Sequence, residues 1–148
     1  MKSEFVLETQ LLTKIFHGAR GDVTALDEVS FAIPEGKTLA LVGESGSGKT
    51  TAARLVLGLE TQNSGTVSVL GKDLSSLNKK ELRNLRRSIQ VVQQNPYSQL
   101  NRRHSVQRIV ETPLLAFNEG SAVQRKDKVV HLLESVGLDA AYLNRRPH

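Results

Sequence analysis

The sequence predicts a mixed α/β fold that turns helical beyond Asn101, and three observations carry that prediction. Residues 41–60, LVGESGSGKTTAARLVLGLE, set a glycine-rich turn between a short apolar run and an amphipathic segment. Upstream of that turn, apolar residues recur at the two-residue period of a strand. Downstream of Asn101 they recur every three and four residues, the spacing of one helical face.

The elements follow in order. EFVLETQLLTKIF is rich in apolar and β-prone residues and reads as a strand. LDEVSFAI alternates, with Val29, Phe31 and Ile33 on one face and Glu28, Ser30 and Ala32 on the other, which suits a half-buried antiparallel strand. The turn PEGK ends it. TLALVG is nearly continuous apolar sequence and predicts a central strand buried on both faces. After the glycine-rich turn, Ala52, Leu55, Val56 and Leu59 fall at i, i+3, i+4 and i+7, one stripe of a helix. SGTVSVLGKDL places Val67 and Val69 on one face of a further strand. Asn78, with Glu81 three residues on, predicts a reciprocal cap for a helix carrying Leu82, Leu85 and Ile89. IQVVQ is again short and apolar. Val106, Ile109, Val110, Leu114 and Phe117 form a helical stripe kinked at Pro113. Val129, Leu132, Leu133 and Val136 form a second stripe, ended by Gly137 as the C′ residue.

Composition narrows the class. A chain of 148 residues suits one domain, and 39% hydrophobic with 24% charged residues supports a real core rather than disorder. The absence of cysteine rules out a disulfide framework, a thiolate metal site and a cysteine nucleophile, and fits a reducing compartment. No stretch reaches the ~20 apolar residues of a membrane span, and MKSEFVLETQ lacks a long apolar h-region, so a cytoplasmic protein is expected. The net charge of +5 and pI near 9.7 invite a nucleic-acid reading. Yet the cations in KKELRNLRR, NRRHSVQR and QRKDK are mostly interleaved with acids or apolar helix positions, and only four Phe and two Tyr are present to stack on bases. Solvated helix faces explain the charge better, and no nucleic-acid partner is expected.

Gly43, Gly48, Lys49 and Thr50 satisfy G-x-x-x-x-G-K-[ST], with Glu44, Ser45, Gly46 and Ser47 between them. Glycines let successive backbone N–H groups turn inward as an anion-binding nest, and the following helix adds the positive end of its dipole there. Lys49 supplies a mobile charge for β- and γ-phosphates, and the Thr50 hydroxyl suits Mg²⁺, which prefers hard oxygen ligands. The plain alternative is a mere turn between strand and helix. The four fixed positions in the correct strand–loop–helix context favour a triphosphate site over a mere turn.

A phosphate loop alone does not choose among kinases, GTPases and motor ATPases. Around it, ALDEVSFAIPEGKTLALVGESGSGKTTAARLVLGLETQNSGTVSVLGKDL followed by IQVVQQNPYSQLNRR resembles the ATP-binding subunits of ABC transporters. The loop around Gln94 and SVGLDAAYLNRRPH are similar to the peptide, oligopeptide and nickel importer branch, and the resemblance runs from about residue 5 to the end. It implies a P-loop NTPase core with an antiparallel β subdomain over residues 1–100, and the beginning of an α-helical subdomain over 101–148. It further implies that Gly43–Thr51 is the Walker A loop, with Thr51 reaching the α-phosphate. Gln94 becomes the Q-loop glutamine that touches Mg²⁺ and the attacking water. Gln93 beside it leaves a one-position ambiguity, and Gln94 is preferred because it directly precedes NPYSQLN. Phe16, read alone, is an ordinary core aromatic; the resemblance implies that it stacks on adenine.

The implied partners are a transmembrane permease, met through the loop after Gln94, and a second ATP-binding subunit. The implied location is the inner face of the cell membrane. The sequence departs from the branch at Gln93 and Asn95, where an aromatic and an acid are common, and at Arg102, where a proline is usual. In the family, YLNRRPH is followed by the LSGGQ signature, the Walker B aspartate and catalytic glutamate, and the switch histidine; the 148 residues stop before them. Weak nucleotide binding and little turnover are therefore expected of these residues alone. Two other readings stay open: a non-catalytic remnant that binds nucleotide or a partner, and a DNA-repair-type P-loop ATPase.

Overall fold

A computed structural model describes residues 4–19 and 21–147. The chain divides into two compact units, one up to Gln90 and the other from Val91 onward.

In the first unit the described residues form a four-stranded antiparallel sheet in the order β2-β1-β3-β4, from β1 (Phe5–Phe16), β2 (Val23–Pro34), β3 (Ser64–Val69) and β4 (Lys72–Asp73). β1 and β2 are long because irregularities let them bend. Leu11 and Glu28 both take positive φ, and their N–H groups leave the ladder. Hydroxyls replace the lost partners: Leu11 N donates to Ser30 Oγ at 2.8 Å and Glu28 N to Thr13 Oγ1 at 3.2 Å. The expected alternation in β2 holds at Glu28, Val29 and Ser30 and then fades, with Phe31, Ala32 and Ile33 all half-buried.

Helix α1 (Lys49–Val56) lays its apolar stripe on the sheet. Ala52 and Leu55 join Leu12, Leu26, Val67, Val69 and Leu85 in one buried cluster. Leu59 does not belong to that stripe as expected, because the helix ends first. Gly58 N donates to the Leu55 carbonyl and Leu59 N to the Arg54 carbonyl, both at 2.9 Å, a Schellman closure that leaves Leu59 exposed. The reciprocal cap is present. Asn78 Oδ1 accepts from Glu81 N at 3.0 Å and Glu81 Oε2 accepts from Asn78 N at 2.9 Å, starting α2 (Lys79–Leu85).

Two expectations are corrected. TLALVG was expected as a central strand buried on both faces, but residues 37–44 join no ladder, and Leu39, Leu41 and Val42 are exposed. IQVVQ likewise forms no strand, and Val91 and Val92 are exposed. A run apolar on both faces becomes a buried strand only when ladders flank it and layers cover it. Among the described residues the four strands pair with one another, and neither run is hydrogen-bonded into their ladders.

In the second unit, α3 (Pro96–Gln99) is a single turn capped by Asn95, and α4 (Val106–Ala116) packs on α5 (Ala122–Glu134). α4 stays helical through Pro113, which offers no N–H to the turn before it. Leu114, Val129, Leu133 and Leu143 form the core, flanked by Val106, Val110, Val130 and Leu138. The buried stripe of α5 is thus narrower than expected, and Leu132 and Val136 face out. Gly137 closes the helix as read from the sequence, with Gly137 N bonded to the Glu134 carbonyl and Leu138 N to the Leu133 carbonyl, both at 3.0 Å. No helix among the described residues is long and apolar enough to cross a membrane.

Candidate nucleotide site

The segment from Gly43 to Thr51 leaves the extended run 37–42, turns at Glu44–Ser47 and enters α1. Gly46 and Gly48 sit in left-handed backbone, at φ 84° and 88°, and Gly48 is the N-cap residue of α1. At Gly48 the loop lies hard against β2: a Cβ there would stand 2.3 Å from the Ala25 carbonyl oxygen and 2.9 Å from Leu26 Cδ2. Only a residue without a side chain meets both demands.

Lys49 gathers the loop around its ammonium. Nζ donates to the Gly43 carbonyl at 2.7 Å, the Glu44 carbonyl at 2.5 Å and Ser47 Oγ at 3.0 Å. Ser47 N donates in turn to the Glu44 carbonyl at 3.3 Å. A Cβ added at Gly43 would meet Ser47 Oγ at 2.7 Å and Lys49 Nζ at 3.9 Å, so the space inside the turn is sized for backbone and one ammonium. A cleft of about 210 Å³ opens beside it, lined by Phe31, Leu41, Val42, Gly43, Ser47 and Lys49 among others. Donors, glycines and a single charge fit a polyphosphate. Thr50 and Thr51 occupy the first turn of α1, Thr50 exposed and Thr51 half-buried. Among the described residues no group of three or more His, Asp or Glu is placed to hold a metal.

The remaining sequence-predicted residues stand elsewhere. Phe16 ends β1 opposite Val23, 40% exposed, with Lys14 Nζ 4.9 Å from its ring centroid. Gln94 belongs to the second unit and is exposed, just before the Asn95-capped turn in which Ser98 Oγ donates to the Asn95 carbonyl at 2.8 Å. Arg102 is exposed in the turn that follows α3. Lys14 was not singled out from the sequence. Its signal was a lysine two positions before an aromatic at the end of β1.

Comparison with known proteins places this geometry in a family. The ABC transporter family model matches residues 26–147. The chain is 39% identical over 151 residues to the di/tripeptide transport ATP-binding protein DppF of Pseudomonas aeruginosa (strain UCBPP-PA14), covering 98% of this chain and 47% of that protein. It is 43% identical over 126 residues to the dipeptide transport ATP-binding protein DppF of Escherichia coli (strain K12), covering 85% of this chain and 38% of that one. The chain therefore spans about half, or less, of the length of these relatives. Among solved structures, an ATP-binding cassette captured as a dimer in a post-hydrolysis state with ADP and Pi superposes with a TM-score of 0.77 at 26% identity, covering 95% of this chain and 61% of that one. cbiO1 from Clostridium perfringens, part of the ABC transporter complex cbiONQ, gives 0.74 at 25% identity, covering 97% and 55%. With that family model over residues 26–147 and relatives at 39% and 43% identity, the chain belongs to the ABC transporter family.

Proposed function

We propose that this chain binds ATP with Mg²⁺ and that the protein it represents is the ATP-binding subunit of an importer, coupling ATP binding and hydrolysis to uptake of peptides or a similar small solute. The observation that carries the reading is the Lys49 ammonium held inside a turn of left-handed glycines at the start of α1. The similarity to peptide-transport ATP-binding proteins supplies the solute class.

In this reading the amides of Glu44 to Thr50, with Ser45 and Gly46 at the bend, take the phosphate oxygens in place of water, and Lys49 turns from the Gly43 and Glu44 carbonyls to the β- and γ-phosphates. Thr50 gives an oxygen to Mg²⁺, which when bound neutralises phosphate charge, and Thr51 serves the α-phosphate. Phe16 covers one face of the adenine. By the family resemblance, Gln94 would orient the water and serve as a ligand of the metal, and the segment after it would meet a membrane permease. A second ATP-binding subunit completes the assembly at the inner face of the membrane.

Titration of a fluorescent ATP analogue into the protein with Mg²⁺ tests the core of this reading. Lys49→Ala is expected to weaken binding about tenfold or more, since a charge-assisted contact to phosphate is lost. Equal affinity in the two proteins overturns it.

A further inference from the structure

A lysine side chain is rarely buried without partners, and that of Lys14 is only 13% exposed. Its ammonium has three neighbours: the Thr61 carbonyl at 2.7 Å, Glu60 Oε2 at 3.5 Å and the face of the Phe16 ring, 4.9 Å from the centroid. Glu60 to Asn63 is the loop between α1 and β3. The same loop is fastened to the end of β1 twice more: Asn63 N donates to the Thr13 carbonyl at 2.9 Å, and Asn63 Oδ1 accepts from Ile15 N at 2.8 Å. The strand end that carries Phe16 is therefore tied to the segment leaving α1, whose other end is the phosphate loop.

Phe16 has no hydroxyl to fix its ring, and with 40% of its surface exposed a free ring would sample several rotamers. A cation anchored on one face limits that freedom, because the attraction is lost when the ring turns its edge to the ammonium. One face then meets the cation, while 40% of the residue stays exposed for a ligand. Ordering a side chain before its ligand arrives removes part of the entropy cost of binding.

We propose that Lys14 is a positioning residue for base recognition: its ammonium, held by Thr61 and Glu60, presents the free face of Phe16 to the adenine. The proposal rests on the reading of Phe16 as the adenine-stacking residue, and its test separates the two. ATP and inorganic tripolyphosphate compete against a fluorescent ATP analogue on the wild type, Phe16→Ala, Lys14→Met, Lys14→Arg and the Phe16→Ala/Lys14→Met double variant. Phe16→Ala is expected to weaken ATP about tenfold, the scale of base–aromatic stacking. Lys14→Met is expected to weaken ATP roughly three- to tenfold and to leave tripolyphosphate unchanged, while Lys14→Arg retains most of the affinity. The double variant should bind ATP no worse than Phe16→Ala alone. If Phe16→Ala weakens ATP selectively but Lys14→Met does not, the positioning role is overturned and the stacking role stands. If Lys14→Met weakens ATP and tripolyphosphate alike, or its effect persists undiminished in the Phe16→Ala background, Lys14 is a structural anchor only. If Phe16→Ala binds ATP as the wild type does, both proposals fall.

Discussion

Placing a methyl group at Gly48 measures how tightly the loop is built against β2. The backbone there is left-handed, at φ 88° and ψ −4°, a conformation that costs an L-residue roughly 1–2 kcal/mol. The new Cβ would also stand 2.3 Å from the Ala25 carbonyl oxygen, an atom of the strand backbone, and 2.9 Å from Leu26 Cδ2. Leu26 can shift its terminal methyl, but Ala25 cannot move without dragging β2 off β1. Overpacking of this kind adds roughly 1–3 kcal/mol, for a total near 2–5 kcal/mol. Gly46 supplies the control: its φ is 84°, and no atom lies within 4 Å of a Cβ built on it. Gly46→Ala should lose only the backbone share, roughly 1–2 kcal/mol. Urea unfolding followed by circular dichroism on both variants gives the comparison. Losses equal to within about 0.5 kcal/mol would refute the close approach of loop and strand.

Two further outcomes follow from packing. Leu55→Ala, at 1% exposure in the centre of the first core, should cost about 2–5 kcal/mol by the same assay, whereas Leu59→Ala, beyond the helix end, should stay within about 0.5 kcal/mol. In the second unit Arg125 Nε meets Glu111 Oε1 at 3.1 Å and its Nη1 donates to the Gly120 carbonyl at 2.6 Å, with both side chains under one-fifth exposed. Arg125→Met should therefore lower stability by about 2 kcal/mol, read from the urea midpoint, and a change below about 0.5 kcal/mol would remove this pair from the account of how α4 holds α5.

What could be read from residues alone was whatever depends on near neighbours. The glycine-rich loop motif lies within nine residues. The Asn78–Glu81 cap spans three residues and the Gly137 closure a single turn, and these two formed as read. What could not be read depends on distant or absent neighbours. The bends of β1 and β2 rest on hydroxyls 19 and 15 residues away, Ser30 and Thr13. TLALVG has the composition of a central strand, but composition does not provide the flanking ladders. The width of the buried stripe on α5 was set by α4 and Leu143, so Leu132 and Val136 kept an apolar character that packing did not use. Lys14 was not singled out because its partners, Thr61 and Glu60, lie more than forty residues downstream.

The bonds between Lys49 and its own loop also set the terms on which any anion enters. A guest must compete with two carbonyls and a serine hydroxyl that already satisfy the cation, so the measured affinity is a difference between two well-solvated states rather than the full strength of the new contacts. In the proposed site, the loop's charge would stay satisfied from within until a ligand replaces those three partners.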